Sequence, residues 1–296
     1  MKRDAGITQL EIDQNVYNLY DEYCHGRIDR REFLKRAAAM GAAALTAAYA
    51  LMPNYARAQT ISFTDNRIKA SYVTYDSPGG NSGKMRGYLV QPSGNGPFPA
   101  VLVMHENRGL NPYIEDVARR AAVAGFLALA PDGLFPLGGY PGNDDDGREM
   151  QAKLDQAKLR TDMLNGAKYV KAYKLSNGKL GVTGFCWGGG TSNWLATAMG
   201  ADVQAVVPYY GIAAATAEVP KIKAPVMSHL AEQDERINTS YIDYEKAMKA
   251  ANVSFTTHLY PGTQHGFHNN STPRYKEDAA KLSWDRTVEF FKKNLA

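Results

Sequence analysis

With only two cysteines, Cys24 and Cys186, in 296 residues, the chain is no small disulfide-stapled scaffold. No uncharged apolar run reaches the roughly 18 residues that a membrane-spanning helix needs. Charge of one sign is also scarce. Lys and Arg total 34 against 30 Asp and Glu, and no basic run is long enough to offer a nucleic-acid surface. What is present is ordinary for a globular protein. At 44% hydrophobic and 22% charged, the chain can bury a core, which excludes a disordered polymer.

The N-terminus departs from the rest. The run Asp29-Arg30-Arg31-Glu32-Phe33-Leu34-Lys35-Arg36 precedes an alanine-rich stretch, residues 37–51, that carries no charge. Farther on, Ala56-Arg57-Ala58 supplies a small-x-small site ahead of Gln59. Paired arginines, a short apolar run and a small-residue site form the layout of an export signal. The run R-R-x-F-L-K resembles the twin-arginine signal, whose cargo crosses the bacterial inner membrane folded. On this reading residues 1–58 are a leader recognised by the export machinery, residues 59–296 are the working domain, and the protein is periplasmic. The alternative is a retained extension on a cytoplasmic protein, packed on its body through Leu10, Val16, Leu19, Tyr20 and Tyr23 at roughly helical spacing. If Cys24 leaves with a leader, Cys186 has no intramolecular partner.

From residue 68 onward the pattern predicts alternating strands and helices. Residues 68–75 and 85–90 read as strands joined by the turn-rich stretch 77–81. Residues 100–104 form a continuous apolar run, as a strand buried on both faces would. Asn111-Pro112 opens a helix to about residue 124. Further strands are expected at 126–130, 180–185, 205–209, 225–230 and 254–260. Helices are expected across 148–171 and at 188–199, 241–250 and 276–294, with residues 133–147 a long loop beside a site. Strands separated by helices imply a doubly wound, mostly parallel α/β sheet with helices on both faces. Neither an internal repeat nor a linker divides it.

The sharpest motif is Gly184-Phe185-Cys186-Trp187-Gly188-Gly189-Gly190, which follows an apolar strand and opens a helix. That is the context of a nucleophile elbow, G-x-S-x-G, with cysteine in the serine position. A nucleophile on a strained turn needs neighbours without side chains, so that backbone can pass closely. The helix N-terminus favours a thiolate, and the Trp187 N–H can hold an oxyanion. An acid and then a base should follow in the chain. Asp234 lies just past the strand at 225–230 and His265 just past the strand at 254–260, on the sheet edge where α/β proteins bind ligands. Glu232 and Glu235 compete with Asp234 for the acid role.

The cysteine elbow, the order Cys186, Asp234, His265 and the His265-Gly266-Phe267 turn resemble the dienelactone hydrolase family, of the α/β-hydrolase fold. The likeness runs from the strand at residue 100 to the last helix, and His105-Glu106-Asn107-Arg108-Gly109 belongs to it. The resemblance implies a hydrolase of small-molecule esters or lactones, working through an acyl-cysteine without metal or organic cofactor. It also implies that Glu106 contacts the resting thiol and that the N–H groups of Asn107 and Trp187 form the oxyanion hole. Arg108, a candidate partner for Glu106, is also a candidate substrate contact, as are Tyr140 and Phe267. The family binds its substrate carboxylate with arginines, one shortly after the catalytic histidine turn. Here the nearest, Arg274, is displaced by several residues, and Arg148 or Arg160 could serve instead. A thioester hydrolase on the same triad, a metal site at His105, Glu106, His265 and His268, and a non-catalytic binding module stay open as alternatives.

Overall fold

A computed structural model describes residues 12–24, 27–51 and 59–296. Its sheet has eight strands in the order β1-β2-β4-β3-β5-β6-β7-β8. Strands β1 (Ile68–Ser77) and β2 (Gly83–Pro92) form an antiparallel hairpin, and β2 runs antiparallel to β4 (Leu127–Pro131). From there β3 (Phe98–Met104), β5 (Ser176–Phe185), β6 (Ala205–Tyr209), β7 (Val226–Gln233) and β8 (Phe255–Gln264) are parallel. All their C-termini therefore reach one edge. The expected doubly wound, mostly parallel sheet is what forms.

Period-2 alternation splits each central strand between two cores. In β3, Ala100, Leu102 and Met104 join one apolar cluster while Val101 and Val103 join the other. The first cluster is covered by α6 (Gln156–Lys171), α7 (Trp187–Met199) and α8 (Glu235–Ala250). The second is covered by α4 (Pro112–Val123) and α9 (Glu277–Leu295). Asn111 caps α4, its side chain accepting from the Ile114 N–H, with Pro112 in the first turn.

Three boundaries differ from expectation. The region 148–171 is two helices, because Asp155 caps a new one after α5 (Asp144–Lys153) has ended. The first turn of α5 lies inside the expected loop, where Asn143 caps it and three aspartates face the positive helix end. Helix α8 begins at Glu235 rather than 241, since its first turns hold few apolar residues to reveal a period.

The N-terminal segment is helical: α1 (Gln14–Cys24), α2 (Arg30–Ala39) and α3 (Ala42–Ala50). Asp29 caps α2 by accepting from the Glu32 N–H at 2.7 Å. Val16, Tyr20, Tyr23, Phe33, Ala37 and Leu51 belong to a third apolar cluster, which shares no residue with the other two. Among the described residues no helix is long and apolar enough to cross a membrane. The small-x-small site at 56–58 lies outside the described residues.

Candidate active site

Strand β5 ends at Phe185 and α7 starts at Trp187, which leaves Cys186 alone to turn the chain. Its φ of 54° is one that a residue with a side chain seldom adopts. Packing holds it there. Cys186 N–H donates to the Tyr209 carbonyl at 3.1 Å, and the Cys186 carbonyl accepts from Gly190 N–H at 3.1 Å. The glycines are required by contact: a Cβ on Gly184 would lie 2.3 Å from the Gly188 carbonyl oxygen. One on Gly188 would lie 2.5 Å from the His105 oxygen, and one on Gly189 2.3 Å from the Tyr209 oxygen. Helix α7 thus presses directly on the ends of β3 and β6. That closeness sets the segment after β3, with Glu106 and Asn107, beside the thiol.

Asp234 stands where α8 begins, yet its side chain does not cap that helix. Its Oδ2 instead accepts from His265 Nδ1 at 2.5 Å, with both side chains buried. Of the two competing acids, Glu232 accepts from the Gly262 N–H at 2.8 Å, and Glu235 is exposed in the first turn of α8. Burial opposes the charged His265 imidazole, but charge from Asp234 and from Cys186, together with the hydrogen bond to Asp234, outweighs it. The imidazole pKa is held well above its ordinary value. His265, bonded to Asp234, thus lines one cavity with Cys186 at the C-terminal edge of the sheet.

Glu106 lines the same cavity as Cys186 and His265. Burial pushes its carboxyl up to about 7; Arg108 works against the rise, while charge on Cys186 and Asp144 adds to it. Its Oε2 accepts from Asn269 Nδ2 at 3.0 Å, and Asn269 Oδ1 in turn accepts from Ser271. Neither Asn269 nor Ser271 carried a sequence signal, because their relation to Glu106 exists only across the folded turn after β8.

The remaining candidates separate. Arg108 lines the cavity but is paired with Asp144 at 2.6 Å, both side chains buried. Tyr140 donates to the other oxygen of Asp144 at 3.0 Å and does not line the cavity. Phe267 is wholly buried against Tyr210 and Tyr260, so it too lies outside the lining. Trp187 stacks on His105, with ring centroids 5.5 Å apart. Arg274 returns to the cavity despite its displacement in sequence, donating to the His265 carbonyl at 2.7 Å. Arg148 and Arg160 lie elsewhere, over the rings of Tyr23 and Trp194. His105 uses its ring nitrogens on the Glu106 carbonyl and the Gly133 N–H, and His268 meets the Tyr113 hydroxyl at 2.7 Å. Among the described residues no group of three or more His, Cys, Asp or Glu side chains is arranged to hold a metal ion. An unforeseen lining residue is Tyr20, from α1.

Known proteins bear on this arrangement. The dienelactone hydrolase family model matches residues 85–295, and a YqhI-like family model matches residues 6–42. The hydrolase fragment YghX of Escherichia coli K12, so named provisionally, is 64% identical over 106 residues, 36% of this chain and 90% of its own. A protein of Methylorubrum extorquens, provisionally named carboxymethylenebutenolidase, is 32% identical over 268 residues, 85% of this chain and 90% of its own. The crystal structure of a dienelactone hydrolase of Klebsiella pneumoniae, also provisionally named, superposes with a TM-score of 0.65 at 27% identity. It covers 75% of this chain and 99% of that one.

Proposed function

This chain belongs to the dienelactone hydrolase family and is a hydrolase, and from that premise we propose that it cleaves carboxylic esters or lactones through an acyl-cysteine on Cys186. The observation that carries the reading is the grouping of Cys186, His265 and Asp234: a nucleophile on an elbow, lining one cavity with an imidazole whose Nδ1 is held by a buried carboxylate.

The steps follow from the chemistry of those groups. His265 takes the thiol proton, and the sulfur of Cys186 bonds to the substrate carbonyl carbon. The oxyanion that forms is held by the N–H groups of Trp187 and Asn107. The C–O bond then breaks, and the alkoxide leaves with the proton from His265; in a lactone this opens the ring. Water, deprotonated by His265, attacks the acyl-cysteine, and the acid departs as the thiol is restored. Glu106, with its pKa near neutrality, exchanges a proton or hydrogen bond with the resting thiol and is held in place by Asn269. Arg274, beside the thiol, suits an acyl group that carries negative charge.

The test is turnover of an aryl ester, a dienelactone and an acyl thioester by the wild type and by Cys186→Ala, with intact mass recorded during turnover. A mass increase equal to the acyl group on wild type and none on Cys186→Ala is expected. Equal turnover by the two proteins would overturn the mechanism, and turnover of the thioester alone would reassign the substrate class.

A further inference from the structure

The cavity over Cys186 holds only about 20 Å³, room for little more than one water. The body alone does not bound it. Tyr20, on α1, forms one wall, and the Arg274 guanidinium lies 4.4 Å from the centre of its ring. A second cleft of about 390 Å³ lies between α1 and the start of α8, lined by Tyr17 and Glu22 on one side and Asp234 on the other. His265 and Arg274 line both spaces, so Arg274, with the Tyr20 ring against it, is shared by the cleft and the smaller space that holds the thiol.

The attachment of the N-terminal helices is different in kind from the packing inside the body. Their apolar cluster is their own. Among the described residues, the contacts that join them to the body include side-chain polar contact and stacking. Arg148 Nη1 donates to the Tyr23 carbonyl at 2.5 Å, with its guanidinium 4.1 Å from the Tyr23 ring centre, and Arg30 pairs with Asp145 at 3.1 Å. A unit with its own core and a polar seam can part from its partner without exposing an apolar face of the body. Parting would also widen the narrow space over the thiol, about 20 Å³ as it stands.

We propose that the helices within residues 12–24 and 27–51 are a retained lid of the active site, and that Tyr20, set against Arg274, determines which acyl groups reach Cys186. The lid opens along the polar seam to admit substrate from the cleft and closes with the Tyr20 ring over the acyl chain. Short acyl groups are the class that fits beneath it. The reading rests on Cys186 as nucleophile only for its turnover measurement, and the alkylation measurement is independent of that role.

The full chain is tested in four forms: wild type, Tyr20→Phe, Tyr20→Ala and Arg30→Glu, the last placing like charge against Asp145. Alkylation of Cys186 is followed peptide by peptide, so that Cys24 does not contribute, with iodoacetamide and with a bulky fluorescein maleimide. On wild type and Tyr20→Phe the bulky reagent lags its rate on an open thiol by about tenfold relative to iodoacetamide, and in the other two forms the lag collapses. In parallel, Tyr20→Ala raises kcat/KM for p-nitrophenyl octanoate over acetate by about tenfold, and Tyr20→Phe leaves the ratio unchanged. A lag absent from wild type, or present unchanged in both Tyr20→Ala and Arg30→Glu, overturns the lid. So does fully active purified protein that begins at Gln59, the result that an export leader requires. If no form turns over any ester, the mechanism fails, and the alkylation ratios still decide the lid.

Discussion

At the elbow, backbone lies against backbone: Gly184 on Gly188, Gly188 on the end of β3, Gly189 on the end of β6, with no room for a methyl group. In the lid, side chains bridge a seam: Arg148 on Tyr23, Arg274 on Tyr20, Arg30 on Asp145. Both regions bound the same thiol. The elbow fixes the sulfur-bearing residue against close-packed backbone, the kind of positioning that proton transfer and attack require. The lid gives up that rigidity and can swing away, which widens the way into a narrow cavity. Precision comes from close-packed backbone and access from a thin polar joint.

Substitutions in the two regions should therefore fail differently. Cys186→Ala removes the nucleophile and is expected to lower ester hydrolysis by about ten-thousandfold or more, with circular dichroism unchanged. Asp234→Asn keeps the shape but no longer holds His265 in its charged, oriented form. A loss in kcat of about a thousandfold is expected, with KM little altered, because the acid does not touch substrate. A larger change in KM than in kcat would mean that Asp234 acts on binding instead.

Glu106 sharpens the comparison through pH. Between its ordinary value of 4.5 and about 7, the folded protein keeps a proton that the unfolded chain has released. Stability from this group is thus fully present below 4.5 and is lost as pH rises to about 7. Glu106→Gln should stabilise the protein above that window by up to about 3 kcal/mol and change little below it, read from denaturant unfolding at both ends. A uniform effect at all pH would mean that the carboxyl keeps its ordinary pKa. The smallest effect is expected at the seam. Arg148→Ala should weaken lid docking by about 1–2 kcal/mol, seen as faster amide exchange in α1 with the sheet unaffected.

Much of this molecule is legible in the order of its residues, for reasons that are local. The elbow is visible because glycine spacing, a preceding apolar strand and a following helix all lie within a few residues. Asp234 and His265 are visible because they follow apolar runs that end at one sheet edge. Asn269 and Ser271 are not visible, since their bonds to Glu106 or to each other depend on a turn that folds back across the cavity. Tyr140 and Phe267 read as pocket aromatics, but residue type cannot say which layer a ring occupies. One holds Asp144 and the other lies in the core. Arg274 is displaced from His265 in sequence, and the turn after β8 returns it to the site.

The N-terminal segment marks the boundary most clearly. Its paired arginines, alanine run and small-residue site carry the composition of an export signal, and its spacing of Val16, Leu19, Tyr20 and Tyr23 carries that of a packed helix. Both patterns are local, and neither says what stands opposite. By itself the sequence determined the α/β sheet, the elbow and the order of nucleophile, acid and base, because periodicity and turn chemistry act over short stretches of chain. Only the tertiary structure decided that Tyr20 meets Arg274 over the thiol, that Asn269 holds Glu106, and that Asp234 rather than Glu232 or Glu235 reaches His265. Those pairings join residues far apart in the chain, and they exist only once both cores have closed and fixed where each strand ends.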